Sequence, residues 1–173
     1  MLRITGGANR GRVLPAIVPE GVRPTSSRAR EALFSMIGQD LAGLTFLDAF
    51  GGAGAIGLEA ASRGATVTLA ERAAAALATI RENVAAAKAT VTVRAADVAA
   101  LAEESAAFDI VYLDPPFAED IVAWATRMAP VARQVLVAEA RSGAVFPESL
   151  GGLSLDRVRK YGDTTLAIYR RSA

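Results

Sequence analysis

The run Asp114-Pro115-Pro116-Phe117 directly follows the apolar stretch Ile110-Val111-Tyr112-Leu113, and its residue types suit one kind of chemistry. Proline has no N–H and a locked φ, so two in succession present carbonyl oxygens, together with the Asp114 carboxylate, as a rigid array of acceptors. Such an array receives an –NH2 donor. Phe117 offers a flat apolar face to a base drawn out of its stack, a contact worth roughly 1–3 kcal/mol per base. An exocyclic amine is a poor nucleophile because its lone pair is delocalised into the ring. Hydrogen bonds from the amine to Asp114 and to the Pro115 carbonyl favour the pyramidal geometry that attack requires. A methyl group then moves in line from a sulfonium, with positioning and electrostatics supplying most of the rate. The chain contains no histidine and no cysteine. This excludes imidazole bases, thiolate nucleophiles, disulfides, the common zinc sites, and pyrimidine C5 methylation through a cysteine adduct. The competing use of these residues is a Pro-rich strand exit with a core Phe.

A second run, Leu47-Asp48-Ala49-Phe50-Gly51-Gly52-Ala53-Gly54-Ala55-Ile56-Gly57, ends a strand and opens a helix, so its glycines let a ligand approach the backbone and the helix N-terminus. Gly52, Gly54 and Gly57 fit GxGxxG, and Glu71, followed by Arg72, closes the next strand 19 residues beyond Gly52. A carboxylate there accepts hydrogen bonds from ribose hydroxyls. The pattern alone suits an adenosine cofactor, and a tight turn without any ligand would also use such glycines. Asp48 decides between cofactors, because its charge would face a dianionic pyrophosphate in NAD but meets an ammonium and a sulfonium in S-adenosylmethionine. Phe50 lies in the same loop. Asp97, after the third strand, is placed to accept from an adenine amine, with Val98 packing near the ring; many loop acids of this kind only cap helices.

Charge adds a third feature. Residues 1–30 hold six arginines (Arg3, Arg10, Arg12, Arg23, Arg28 and Arg30) against Glu20, so a +5 segment precedes a remainder of −4 in a chain of net +1. A basic arm on a slightly acidic body is the footprint of phosphate binding, and a solvated face is the plainer alternative. The arm, residues 1–24, is expected to be separable from a catalytic domain at 25–173, since every cofactor and amine contact lies at or beyond Asp48.

The elements that must position these residues follow from punctuation and periodicity. Gly6, Gly7, Gly11, Pro15, Pro19, Gly21 and Pro24 rule out a helix in the arm and leave short strands at Arg3–Thr5 and Arg12–Pro15. Thr25, Ser26 or Ser27 caps a helix over Arg28–Ile37 with Ala32, Leu33, Met36 and Ile37 on one face. Strands follow at Thr45–Asp48, Thr66–Glu71, Thr90–Ala95, Ile110–Asp114 and Val135–Glu139. Helices between them lie near Gly54–Arg63, Ala73–Ala87, Ala99–Glu104 and Asp120–Met128. This alternation predicts an α/β fold with a parallel sheet covered by helices. At the end, Leu153–Lys160 and Thr165–Arg170 form a hairpin around Tyr161-Gly162-Asp163-Thr164. With 173 residues, 52% of them hydrophobic, one domain has an ample core. No apolar run reaches the roughly 18 residues of a membrane helix, so a cytoplasmic protein is expected.

These motifs together resemble the RsmD family of 16S rRNA guanine-N2 methyltransferases, within the class I S-adenosylmethionine-dependent superfamily. The resemblance runs through Arg3-Ile4-Thr5-Gly6-Gly7, Arg10-Gly11-Arg12, Arg23-Pro24-Thr25, Arg28 and Arg30-Glu31-Ala32-Leu33-Phe34. It continues through Asp48 to Gly54, Gly57-Leu58-Glu59-Ala60, Asn83, Asp114 to Phe117 and Tyr161 to Thr164. It implies a Rossmann-like sheet of seven strands with the last antiparallel, and cofactor contacts at Asp48, Glu71 and Asp97. It also implies target contacts at Asp114, Pro115, Pro116 and Phe117 and an RNA-facing arm. The expected partner is ribosomal RNA in a protein-bound small-subunit particle, with neither metal nor membrane. Three other readings use the same residues: an adenine-N6 amine methyltransferase, an NAD-dependent oxidoreductase and a non-catalytic RNA-binding domain.

Overall fold

The computed structural model describes residues 2–15, 25–104, 107–141 and 143–172. Arg23, an expected RNA contact, lies outside the described residues, as do Glu20 and the arm's end at residue 24. The chain divides into two compact units, Met1–Val98 and Ala99–Ala173.

In the first unit β1 (Leu2–Arg3) and β2 (Val13–Leu14) form a small antiparallel pair, followed by α1 (Ser27–Ile37). Then β3 (Thr45–Asp48), α2 (Ala55–Ser62), β4 (Thr66–Glu71), α3 (Ala74–Ala87) and β5 (Thr92–Ala95) alternate. The strands lie parallel in the order β5-β4-β3, with Asp48 opposite Leu69 and Glu71 opposite Ala95. The C-terminal ends of three parallel strands therefore stand side by side, where α/β sheets bind ligands. Gly57 lets α2 lie close to the sheet, since a Cβ there would meet Leu69 Cδ2 at 2.3 Å.

Ser26 caps α1, its Oγ accepting from the Ala29 N–H at 3.2 Å. The buried stripe of α1 is Ala29, Arg30, Leu33 and Phe34, turned from the expected face of Ala32, Leu33, Met36 and Ile37. Phe34 draws it round by stacking on Phe46 at 6.4 Å and carrying the Arg63 guanidinium 4.7 Å above its ring.

Residues 2–15 pack into the first unit. Ile4 and Leu14 are buried in a cluster with Leu58 of α2 and Ala87 of α3. Ser62 Oγ donates to the Gly6 carbonyl at 2.6 Å, and the Asn9 N–H donates to that Oγ at 2.9 Å. Gly7 adopts φ +74 where a Cβ would meet the Ser62 carbonyl at 1.9 Å, so the Gly6-Gly7 pair permits this close docking.

A helical turn, α4 (Val98–Leu101), carries the chain across the division. The second unit holds β6 (Phe108–Leu113), α5 (Ile121–Met128), a 3-10 turn (Ala129–Val131) and β7 (Ala132–Arg141). It ends with β8 (Ser149–Leu150), β9 (Leu153–Tyr161) and β10 (Thr164–Arg171), in the strand order β6-β7-β10-β9-β8. β6 and β7 are parallel, β10 runs antiparallel to β7 and β9, and the hairpin turns at Gly162-Asp163 as its turn residues predict. The two residues of β8, beyond β7, pair with the start of β9 and extend the expected hairpin by one short strand. β7 is also longer than the expected Val135–Glu139 and ends at Arg141. Among the described residues no helix is long and apolar enough to cross a membrane.

Candidate functional site

In the first unit the expected cofactor residues gather at the strand ends. Asp48, at the end of β3, is 2% exposed, and its Oδ2 accepts the Gly57 N–H at 3.0 Å, which places a carboxyl group at the opening of α2. Glu71, at the end of β4, accepts from the Gly52 N–H at 3.0 Å with Oε2 and from the Arg72 and Ala73 N–H groups at 2.8 Å with Oε1. A carboxylate has about four acceptor positions, so capacity remains for a ligand hydroxyl. The Ala96 N–H donates to the Glu71 carbonyl at 3.1 Å and holds the loop bearing Asp97 against β4.

The glycine loop turns tightly, with the Gly51 N–H on the Ala70 carbonyl at 2.8 Å and the Gly54 N–H on the Gly51 carbonyl at 2.6 Å. Gly54 caps α2 at φ 80, a left-handed conformation that favours glycine. Gly52, at φ +54, would place a Cβ no nearer than 3.9 Å to any neighbour, so its outer face is open to a ligand. Phe50 is half-buried beside it.

Two expected cofactor residues have partners in the fold. Arg72 forms an exposed ion pair with Asp97, Nη1 to Oδ2 at 3.2 Å, and Val98 is buried at the start of α4. The sequence assigned no role to Asn83, which is wholly buried on α3 and donates from Nδ2 to the Ala53 carbonyl at 2.8 Å, fixing the loop from beneath. A lone amide inside an alanine-rich helix was the available signal.

These residues fit S-adenosylmethionine. Two acidic side chains and an open glycine face suit an ammonium and ribose hydroxyls, whereas an acid at the position of Asp48 suits a pyrophosphate poorly. Asp48, Glu71, Gly52 and Gly54 are the groups that could hold it.

The basic residues separate by burial. Arg3, Arg10 and Arg28 are exposed, Arg3 with Nη1 on the Gly11 carbonyl at 2.7 Å, while Arg12 is half-buried and donates to the Ala87 carbonyl at 3.2 Å at the end of α3. Arg30 corrects the sequence reading, which placed it against RNA. It is fully buried, donates from Nη2 to the Arg3 carbonyl at 3.0 Å, and lies 3.9 Å from Glu59. Glu59, also fully buried, is the hub: it accepts the Thr5 N–H at 2.9 Å, the Thr5 hydroxyl at 2.7 Å and Arg63 Nη2 at 2.9 Å. The Arg3-to-Gly7 run thus docks on α2 through a carboxylate whose role the sequence did not disclose.

In the second unit Asp114 and Pro115 are half-buried at the end of β6, and Pro116 and Phe117 are exposed. The Glu119 N–H closes the turn on the Pro116 carbonyl at 2.8 Å. Phe117 is 73% exposed and is therefore not the core Phe of the alternative reading. Arg141, at the end of β7, holds its guanidinium carbon 3.8 Å from the centre of the Phe117 ring. Below the motif the buried Tyr112 hydroxyl donates to the buried Glu139 carboxylate, tying β6 to β7. A cleft of about 310 Å3 follows the motif, lined by Glu119, Asp120, Ala123, Trp124 and Arg127, with the Trp124 indole N–H held by Glu119 at 2.5 Å. Among the described residues no group of His, Cys, Asp and Glu is arranged to hold a metal ion.

A family model described as conserved hypothetical protein 95 matches residues 2–170. The ribosomal RNA small subunit methyltransferase D of Escherichia coli (strain K12) is 33% identical over 182 residues, covering 99% of this chain and 91% of that protein. Among solved structures, a candidate methyltransferase from Escherichia coli superimposes with a TM-score of 0.84 at 31% identity over 99% of this chain and 98% of the other. The magnesium protoporphyrin IX methyltransferase of Synechocystis PCC 6803, solved with bound S-adenosylmethionine, shares the fold at 18% identity, with a TM-score of 0.66 over 84% of this chain and 79% of that one.

Proposed function

Since the chain belongs to the family of ribosomal RNA small subunit methyltransferase D, we propose that it uses S-adenosylmethionine to methylate the exocyclic N2 amine of a guanine in 16S ribosomal RNA. The observation that carries the chemistry is the Asp114-Pro115-Pro116-Phe117 turn at the end of β6, with acceptors on a rigid backbone and an open aromatic face.

Asp114 and the Pro115 carbonyl accept hydrogen bonds from the target amine and orient its lone pair outward. Pro116 fixes the turn, and Phe117 supports the base by stacking. Asp48 attracts the cofactor's ammonium, Glu71 accepts from its ribose, and Asp97 faces its adenine amine, with Arg72 and Val98 shaping the loop around Asp97. Bound S-adenosylmethionine supplies an electrophilic methyl, so the chain needs to provide only orientation, a carboxylate beside the amine's proton and exclusion of water. Neither a metal nor a histidine is required.

The exposed Arg3, Arg10 and Arg28, with Arg12 and with Arg23 outside the described residues, contribute the phosphate contacts of residues 1–24 and the start of α1. The substrate is ribosomal RNA in a protein-bound small-subunit particle of the cytoplasm, recognised by its folded shape. The test is mass spectrometry of ribosomal nucleosides from cells lacking the gene. Loss of N2-methylguanosine from one 16S position is the expected result. Loss of an N6-methyladenosine instead would replace guanine by adenine, and an unchanged profile would remove the activity.

A further inference from the structure

We propose that Arg141 selects the target base, its guanidinium donating to O6 of the guanine that rests on Phe117; this deepens the guanine-N2 reading and rests on it. β6 and β7 are parallel neighbours with Leu113 opposite Ala138, so Asp114 and Arg141 leave adjacent strands at their C-terminal ends. Arg141 lies over the ring of Phe117 at 3.8 Å. Apart from that ring contact, its side chain makes no hydrogen bond or ion pair among the described residues. A guanidinium presents five N–H donors in a rigid fork, and here that fork lies over one face of the exposed Phe117 ring on a long side chain, with its donors unspent, so a base taking that face meets the donors at its edge once the side chain swings aside.

Guanine is the base that matches such a pair of groups. Its 2-amine is a donor and suits Asp114 and the Pro115 carbonyl, and its O6 is an acceptor, for which arginine is the commonest partner. Adenine, seated with its only amine on the same acceptors, has no exocyclic oxygen to receive from Arg141. Acceptors on β6 and donors on β7 therefore distinguish the two purines, a discrimination that the Asp-Pro-Pro-Phe turn cannot make alone, since it accepts from either amine.

The test uses small-subunit particles from cells lacking the gene, in which wild-type protein maps the methylated guanine. The same particles are then rebuilt with 2-aminopurine at that position, which keeps the 2-amine and lacks O6. Wild type should methylate guanine about 10- to 100-fold faster than 2-aminopurine, the range of one good arginine–guanine contact. Arg141→Met should slow guanine by a similar factor and bring the ratio near one, with unchanged S-adenosylmethionine affinity by calorimetry. Arg141→Lys, which keeps the charge and loses the fork, should restore only part of the ratio. A wild-type ratio in Arg141→Met overturns the inference. So does an equal loss on both bases with full rescue by Arg141→Lys, which would make Arg141 a phosphate contact. If wild type transfers no methyl to guanine in these particles, the guanine-N2 reading fails and takes the inference with it.

Discussion

Two buried guanidiniums and a carboxylate meet at Glu59, and sequence spacing gave no hint of it. Charge counting treats Arg30 as one more basic residue, yet Ala29, Arg30 and Leu33 share a helical stripe, and the stripe is what buries it. Removing one partner of a buried charge cluster leaves the others unpaired, at a cost of about 3–5 kcal/mol. Glu59→Gln should therefore lower stability by that order in denaturant melts, and a change below about 1 kcal/mol would show the cluster to be dispensable. Asp48 and Glu71 were legible because a carboxylate at a strand end beside glycines has few structural uses. Their backbone bonds, to Gly57 and Gly52, were not. This separates charge from scaffolding: Asp48→Asn can still accept the Gly57 N–H, so its effect reports the charge alone. We expect Asp48→Asn and Glu71→Gln to weaken S-adenosylmethionine binding at least about tenfold each in calorimetry, with no response to a metal chelator. Unchanged affinity in both would move the cofactor elsewhere.

Among the elements, β3, β4 and the C-terminal hairpin carried strong local signals, whereas the length of β7 depended on β10, a pairing partner distant in sequence, and the two-residue β8 was too short to show a pattern of its own. The hairpin contains a titrating contact. Asp156 on β9 accepts from Arg170 Nε on β10 at 3.1 Å and from Arg157 Nε at 3.1 Å. The Arg170 hydrogen bond is the main cause holding its carboxyl below the ordinary 3.8; partial burial opposes this, and Arg157 adds to the lowering. A folded value depressed below the unfolded one gives stability that is present above about pH 4 and lost as pH falls through the folded value. Asp156→Asn should thus melt lower than wild type at neutral pH, by an amount worth at most about 1 kcal/mol for so exposed a pair. The two melting temperatures should converge in acid. A gap independent of pH would assign the loss to packing. The arm's two short strands were also foreseen, but their docking was not, because Ile4 and Leu14 acquire meaning only against Leu58 and Ala87. Deleting residues 2–15 should therefore reduce stability as well as any RNA contact, so truncation cannot isolate recognition.

For the whole molecule the legible quantity was charge: a +5 segment at residues 1–30 in a chain of net +1. The division into two units after Val98 was not legible, since no linker composition marks it. Burial divides the +5 segment by role, and that division makes a test possible without truncation. Arg10 and Arg28 are exposed, and neither side chain is engaged elsewhere among the described residues, whereas Arg30 is internal. Each arginine on a phosphate releases condensed counterions, so the logarithm of RNA affinity should fall steeply and linearly with the logarithm of salt. Replacing Arg10 and Arg28 together by Gln should reduce that slope by about 1–2 and leave the melting temperature and S-adenosylmethionine affinity at wild-type values. Arg30→Gln should do the reverse, lowering the melting temperature because the Arg3 carbonyl and Glu59 lose their partner. The measurement is filter binding of protein-bound 16S particles across a salt series, with melting and calorimetry on each variant. An unchanged slope in the Arg10 and Arg28 double variant would make those residues a solvated face and shift recognition to other cations. A flattened slope in Arg30→Gln with unchanged melting would return Arg30 to the RNA and contradict its burial.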